Sequence, residues 1–168
     1  MIFKFLSKNF YINFSIVALV YFLDRLSKIY VIQLDKNNFG SDIFNSAYLN
    51  IVLIWNKGIA FGLLSFNESY LYNIISLIIA IIIIVLVIMS LKNQGFKRYS
   101  LLMIVGGALG NLHDRIFFNA VPDFIDFHIG NFHWFIFNVS DIFITVGVIC
   151  MIFFELIEKD KYDDNKKI

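Results

Sequence analysis

Ile78-Ile79-Ala80-Ile81-Ile82-Ile83-Ile84-Val85-Leu86-Val87-Ile88 decides the class of fold. The run sits in an uncharged stretch from about Leu71 to Leu91. An α-helix needs about 20 apolar residues to cross a bilayer's hydrocarbon, and this stretch supplies them. Composition agrees: 59% of the 168 residues are hydrophobic, against about 45–50% in an ordinary soluble domain. Mean hydropathy is +0.74. Twenty Phe and a single Pro suit long helices in lipid.

Working outward, three further spans are expected, at about Phe10 to Ile32, Ser100 to Phe117 and Asp141 to Leu156. The sequence thus predicts an all-α membrane protein of four transmembrane helices. Residues 1–158 form one membrane domain and residues 159–168 a charged tail, expected to be disordered. Lys4 and Lys8 precede the first apolar run as in a signal peptide, but Asp24-Arg25 stands where a cleavage site would follow. The run reads as a retained first span.

Basic residues set the orientation. Lys4, Lys8, Lys92, Lys97, Arg98, Lys159, Lys161, Lys166 and Lys167 all fall on one side of this four-span arrangement. Both termini are therefore expected in the cytoplasm. The first outer loop, about Gln33 to Tyr70, holds an apolar stretch from Ala47 to Leu64, broken by Asn56, Gly58 and Gly62. It is too short and interrupted to span, and reads as a small sheet on the outer membrane surface. Trp134, Phe132 and Phe135 read as interfacial anchors.

The polar residues are one-sided. Asp24, Arg25 and Lys28 end the first span, and Asn111, Asp114 and Arg115 end the third. Asp123, Asp126, Asn138 and Asp141 lie between the third and fourth. All fall near the outer interface. Carboxylates near lipid are costly, so this clustering points to chemistry there. Two carboxylates held together share a proton, and the ionised one activates a water. From spacing alone Asp123 and Asp126 are rival partners for Asp141, and Asp141 also reads as a helix N-cap. Asp24 and Lys28, four apart, read as a snorkelling pair or as a tie between helix ends. Asp114 is a candidate partner for Arg25 or Lys28. Gly106 and Gly110 form a GxxxG spacing that lets a second helix approach closely.

Other classes are weaker. A net charge of +1 gives no nucleic-acid footprint. The lone Cys150 excludes an intrachain disulfide. His113, His128 and His133 lie on different elements and no HExxH is present, so no metal and no cofactor are expected. A proton-coupled transporter predicts ionisable groups at mid-depth and on both sides. A non-catalytic assembly factor predicts tolerance of Asp123→Asn and Asp141→Asn.

Five motifs in order resemble the lipoprotein signal peptidase (signal peptidase II) family. They are Asp24-Arg25-Leu26-Ser27-Lys28, Asn56-Lys57-Gly58-Ile59-Ala60-Phe61, Gly106-Gly107-Ala108-Leu109-Gly110-Asn111-Leu112-His113-Asp114-Arg115, Val121-Pro122-Asp123-Phe124 and Phe137-Asn138-Val139-Ser140-Asp141. The resemblance implies Asp123 and Asp141, not Asp126, as the catalytic dyad of an aspartic endopeptidase. It implies cleavage before the lipidated Cys of diacylglyceryl-modified prolipoproteins in the bacterial inner membrane. It implies supporting or substrate-binding roles for Asn56, Gly58, Asn111, Asp114, Arg115, Asn138, Asp24 and Lys28. The expected partners are the prolipoprotein substrates and membrane lipid, with the chain acting as a monomer. Pro122 and Ser140 stand where the family often has Val and Ala.

Overall fold

A computed structural model describes residues 2–38, 43–58 and 69–165, with side chains described over 10–38, 43–58 and 72–157. The chain order is α1 (Ile2–Asn37), β1 (Leu49–Asn56), α2 (Ser69–Lys92), α3 (Gly95–Phe118), β2 (Val121–Ile129), β3 (Phe132–Phe137) and α4 (Val139–Asn165). Each helix runs past the apolar stretch that marks it. A helix continues wherever backbone bonding remains possible, whereas hydropathy sees only its lipid-facing part. Thus α4 carries on to Asn165, through most of a tail expected to be disordered.

Among the described residues, three helices are long and apolar enough to cross a membrane: Tyr72–Lys92, Gly95–Phe118 and Val139–Ile157. The 36-residue α1 is long enough too, but Asp24, Arg25 and Lys28 interrupt its apolar stretch. These three side chains are buried in the protein.

Helix α3 is the centre of the bundle and packs against α1, α2 and α4. Of its candidate span 61% is buried, against 11% for α2 and α4. This explains why the least apolar of the three is the innermost: its polar side chains meet protein. Glycines make the close packing possible. A Cβ on Gly106 would lie 2.8 Å from Val20 Cβ on α1, and one on Gly107 would lie 2.6 Å from the Ser140 carbonyl oxygen on α4. A Cβ on Gly110 would strike Ser140 Oγ and the Asp24 carboxylate. Ile83, Val105 and Ala108 form the apolar core nearby.

The segment between α3 and α4 is a hairpin. Asn119 closes α3 in the left-handed region (φ 53°), which asparagine tolerates, and the chain turns into β2. Gly130 (φ 59°) starts a two-residue turn between the paired Ile129 and Phe132, where glycine is favoured. Strand β1 joins β2 from the other edge, giving an antiparallel β1-β2-β3 sheet. The expected sheet over Ala47 to Leu64 is thus β1, and its 59–64 portion lies outside the described residues. Opposite Asn56 stands Val121, and opposite Trp55 stands Pro122. That register brings the end of β1 alongside the start of β2, where Asp123 sits.

Candidate active site

Asp123 is on β2 and Asp141 in the first turn of α4. Asn138 links them. It precedes α4, and its Oδ1 accepts from the Asp141 backbone N–H (3.2 Å), while Asp141 Oδ2 accepts from the Asn138 backbone N–H (3.2 Å). This reciprocal pair is a capping box with Asn at the N-cap and Asp three residues on. Asn138, not Asp141, is therefore the cap. Its Nδ2 also donates to Asp123 Oδ1 at 2.6 Å.

The remaining carboxylate oxygens are held from two other elements. Asn56 Nδ2, at the end of β1, donates to Asp123 Oδ2 at 2.9 Å. Asn111 Nδ2, on α3, donates to Asp141 Oδ1 at 2.9 Å. Every partner is a neutral amide. Among the described residues no cation forms an ion pair with either carboxylate. Burial and the nearby Asp141 charge push the Asp123 carboxyl up to about 6, against the opposing pull of the two Asn amides and the Lys28 charge. A carboxyl with such a pKa exchanges protons in the range where hydrolysis near neutral pH needs it.

Beneath this pair lies a charged cluster. Arg25 Nη2 contacts Asp114 Oδ1 at 2.6 Å and Asp24 Oδ2 at 3.2 Å. Lys28 Nζ contacts Asp24 Oδ2 at 2.9 Å and Asp114 Oδ2 at 2.7 Å. Asp24 and Asp114 are completely buried. The snorkelling reading of Asp24 and Lys28 does not hold, because both point into the protein and tie α1 to α3. Asp24 Oδ1 also accepts from the Ser140 backbone N–H at 3.0 Å, which fastens the start of α4. Lys28 Nζ donates to Asn111 Oδ1 at 2.9 Å, leaving the Asn111 amide group oriented toward Asp141.

Arg115 Nη1 donates to the Asn111 carbonyl (3.1 Å) and its Nη2 to the Gly58 carbonyl (3.3 Å). Gly58 N–H in turn donates to Asn56 Oδ1 at 2.8 Å. Arg115 and Gly58 therefore steady Asn56 through the backbone rather than touching either carboxylate. Asp123, Asp141 and the eight residues given supporting roles by the resemblance all fall within this connected group. Sequence reasoning underused Arg25, which bridges both buried aspartates, and missed the Ser140 backbone N–H. No side-chain pattern could have revealed the latter.

Two apolar grooves reach Asp141. One of about 440 Å³ runs between α2 and α4 over α3, lined by Ile79, Ile82, Leu86, Ile104 and Ala108 and ending at Asn111, Arg115 and Asp141. The other, of about 400 Å³, lies beside β3 and α4, lined by Trp134, Phe135, Phe137 and Asp141.

Residues 16–157 match the family described as Signal peptidase (SPase) II. The chain belongs to the signal peptidase II family. Relatives named lipoprotein signal peptidase bear this out. That of Pelagibacter ubique (strain HTCC1062) is 50% identical over 159 residues, covering 95% of this chain and 96% of the relative. That of Anaplasma phagocytophilum (strain HZ) is 43% identical, covering 86% and 92%. Two solved structures described as bacterial membrane enzymes share the fold. One is 30% identical with a TM-score of 0.72, covering 89% of this chain and 90% of its own. The other is 32% identical with a TM-score of 0.70, covering 86% and 92%. This signal peptidase II relative is thus a mostly helical membrane protein bearing a three-stranded sheet.

Asp126 and the histidines lie elsewhere. Asp126 faces His133 (2.9 Å) and Asn50 (3.3 Å). His113 turns toward α1, where its Nδ1 meets the Tyr21 hydroxyl at 2.9 Å.

Proposed function

We propose that this chain is an aspartic endopeptidase that removes signal peptides from diacylglyceryl-modified bacterial prolipoproteins, cutting before the lipidated Cys. The observation that carries the aspartic reading is the amide-only setting of Asp123 and Asp141. The Asp141 charge raises the Asp123 carboxyl, a coupling that favours one shared proton, and neutral donors orient both groups without quenching either. In this reading a water lies between them. One carboxylate takes its proton, the other donates to the scissile carbonyl oxygen, and a gem-diol forms. Its collapse protonates the leaving amine. The dyad titrates as a pair.

Asn56, Asn111 and Asn138 orient the dyad. Asp24, Lys28 and Asp114 hold the helix ends beneath it, and Arg115 with Gly58 steadies Asn56. The substrate's signal helix enters sideways from lipid along the apolar grooves. Helix α1 completes a four-span fold, its charges sheltered by α3 and α4. The basic flanks place both termini in the cytoplasm, residues 159–168 as a charged cytoplasmic tail, and the site at the outer face of the inner membrane. The exposed Phe132, Trp134 and Phe135 then meet the lipid interface. The chain acts as a monomer, since one copy supplies both carboxylates.

The test is cleavage of a diacylglyceryl-modified prolipoprotein by detergent-purified protein, with products identified by mass. Wild type is expected to release the signal peptide, while Asp123→Asn and Asp141→Asn are not. Full cleavage by either variant overturns the dyad. A lipidated substrate left intact by wild type overturns the peptidase reading itself.

A further inference from the structure

The outer hairpin holds a second constellation that the dyad does not use. Asp126 and His128 are two residues apart on β2, so both project from its buried face, and both are at least nine-tenths buried. His133 on β3 stands directly opposite His128 in the register. The two rings stack with centroids 4.9 Å apart. His133 Nδ1 lies 3.0 and 2.9 Å from the two Asp126 carboxylate oxygens. One donor atom from each of Asp126, His128 and His133 lies within 4.8 Å of the others. In sequence the two histidines look separate. The two-residue turn at Gly130-Asn131 is what makes them neighbours.

A hydrogen-bonded His–Asp pair accounts for His133 and Asp126, but not for His128. Its Nδ1 is buried with no hydrogen-bond partner among the described residues. A buried polar atom left unpaired costs about 1–3 kcal/mol, so a fold that keeps one at a cluster of donors has a use for it. Two imidazoles and a carboxylate are the donor set of a first-row divalent ion, whereas magnesium and calcium favour all-oxygen sets. Tetrahedral zinc needs donors about 3.3–3.6 Å apart, from metal–ligand distances of about 2.0–2.2 Å. The three donor atoms lie within 4.8 Å of one another, and His133, whose side chain is 52% exposed, is the group positioned to adjust the spacing. Its exposure also opens the cluster to solvent and supplies an entry path.

We propose that Asp126, His128 and His133 form a zinc-class divalent metal site that clips β3 to β2, with a solvent water as fourth ligand. The site is separate from the peptidase chemistry. It braces the strand that carries Asp123 three residues earlier. It does not rest on the peptidase reading.

The test uses the full chain, purified in detergent through a tag without histidines, stripped with chelator and titrated with Zn²⁺ by calorimetry. Wild type is expected to bind one equivalent, and Zn²⁺ to raise its unfolding temperature. Removing even an outer partner of a metal site weakens binding by about 10–100-fold, so losing a ligand should cost at least about tenfold. That loss is expected in His128→Gln and His133→Gln, whereas Asp123→Asn should bind as wild type does. Co²⁺ in place of Zn²⁺ should give visible absorption in wild type that His133→Gln lacks. Because His133 is half exposed, His133→Gln is expected to fold even where His128→Gln does not, and it decides the matter alone. No binding by wild type, or equal binding by His133→Gln, overturns the proposal. So does loss of binding in Asp123→Asn with His133→Gln unaffected, which moves the metal to the dyad.

Discussion

Asp24 and Asp114 lie one layer below Asp123 and Asp141, and the two pairs are treated in opposite ways. Each lower aspartate meets two cations, Arg25 and Lys28, within 3.2 Å. Each upper aspartate meets only amides. The lower pair has its charge cancelled and fastens α1, α3 and the start of α4. The upper pair has its charge oriented but not cancelled, and Asp123 has its carboxyl pushed up to about 6. A buried acid surrounded by cations is a fastener. A buried acid surrounded by amides remains free to exchange a proton.

The largest expected effect breaks this contrast at the upper layer. Asp123→Asn and Asp141→Asn should each lower cleavage by about 10²–10⁴-fold or more, the range for loss of a proton-transferring group. Both variants should still unfold cooperatively, because the isosteric amide replaces a carboxylate that has no ion pair to lose.

The lower layer should respond in stability instead. Lys28→Met or Asp114→Asn leaves the buried cluster with one uncompensated charge, at a cost of about 3–5 kcal/mol, read as a lower unfolding temperature in detergent. Replacing Arg25 and Asp114 together should cost less than the sum of the two single changes. Strict additivity would mean that the cluster is not a coupled unit. A packing change between the layers should cost less. Gly107→Ala forces a methyl against the Ser140 carbonyl and is expected to lose about 1–3 kcal/mol.

The pH dependence sharpens the contrast further. Between about pH 4 and 6 folded Asp123 keeps a proton that the unfolded chain, near 3.8, has released. Its contribution to stability is therefore greatest at the acid end and is lost as pH rises to about 6. The size is on the order of 3 kcal/mol. Subtracting the Asp123→Asn profile from wild type should isolate this slope, and a difference of opposite sign would mean that the carboxyl is held low. The smallest effect belongs to an exposed pair at the far end of the bundle. Lys97 and Glu155 are in contact, but Glu155 is 65% exposed, so Glu155→Gln should change stability by about 0–1 kcal/mol.

Much of this was legible in the chain itself. Runs such as Ile78 to Ile88 set the helices, because lipid demands apolar length regardless of neighbours. Glycine spacing marked α3 as a packing helix, and the one-sided polar residues marked a site near one interface. Five short motifs brought the family into view. Span ends were less legible, since α1 and α4 continue past their apolar stretches on backbone bonding alone.

What the tertiary structure decided was pairing. Spacing could not separate Asp123 from Asp126, because both are carboxylates on one strand. Strand register settles their surroundings: Asn56 and Asn138 reach Asp123, while His133 and Asn50 reach Asp126. Nor could spacing tell a snorkelling Asp24-Lys28 pair from a buried one, as the same i, i+4 geometry serves both. Only the approach of α3 and α4 buries it. Sequence determines what each segment does alone against lipid or water. Which acid meets a cation, which meets an amide and which meets a histidine depends on residues far apart in the chain, and folding alone brings them within reach.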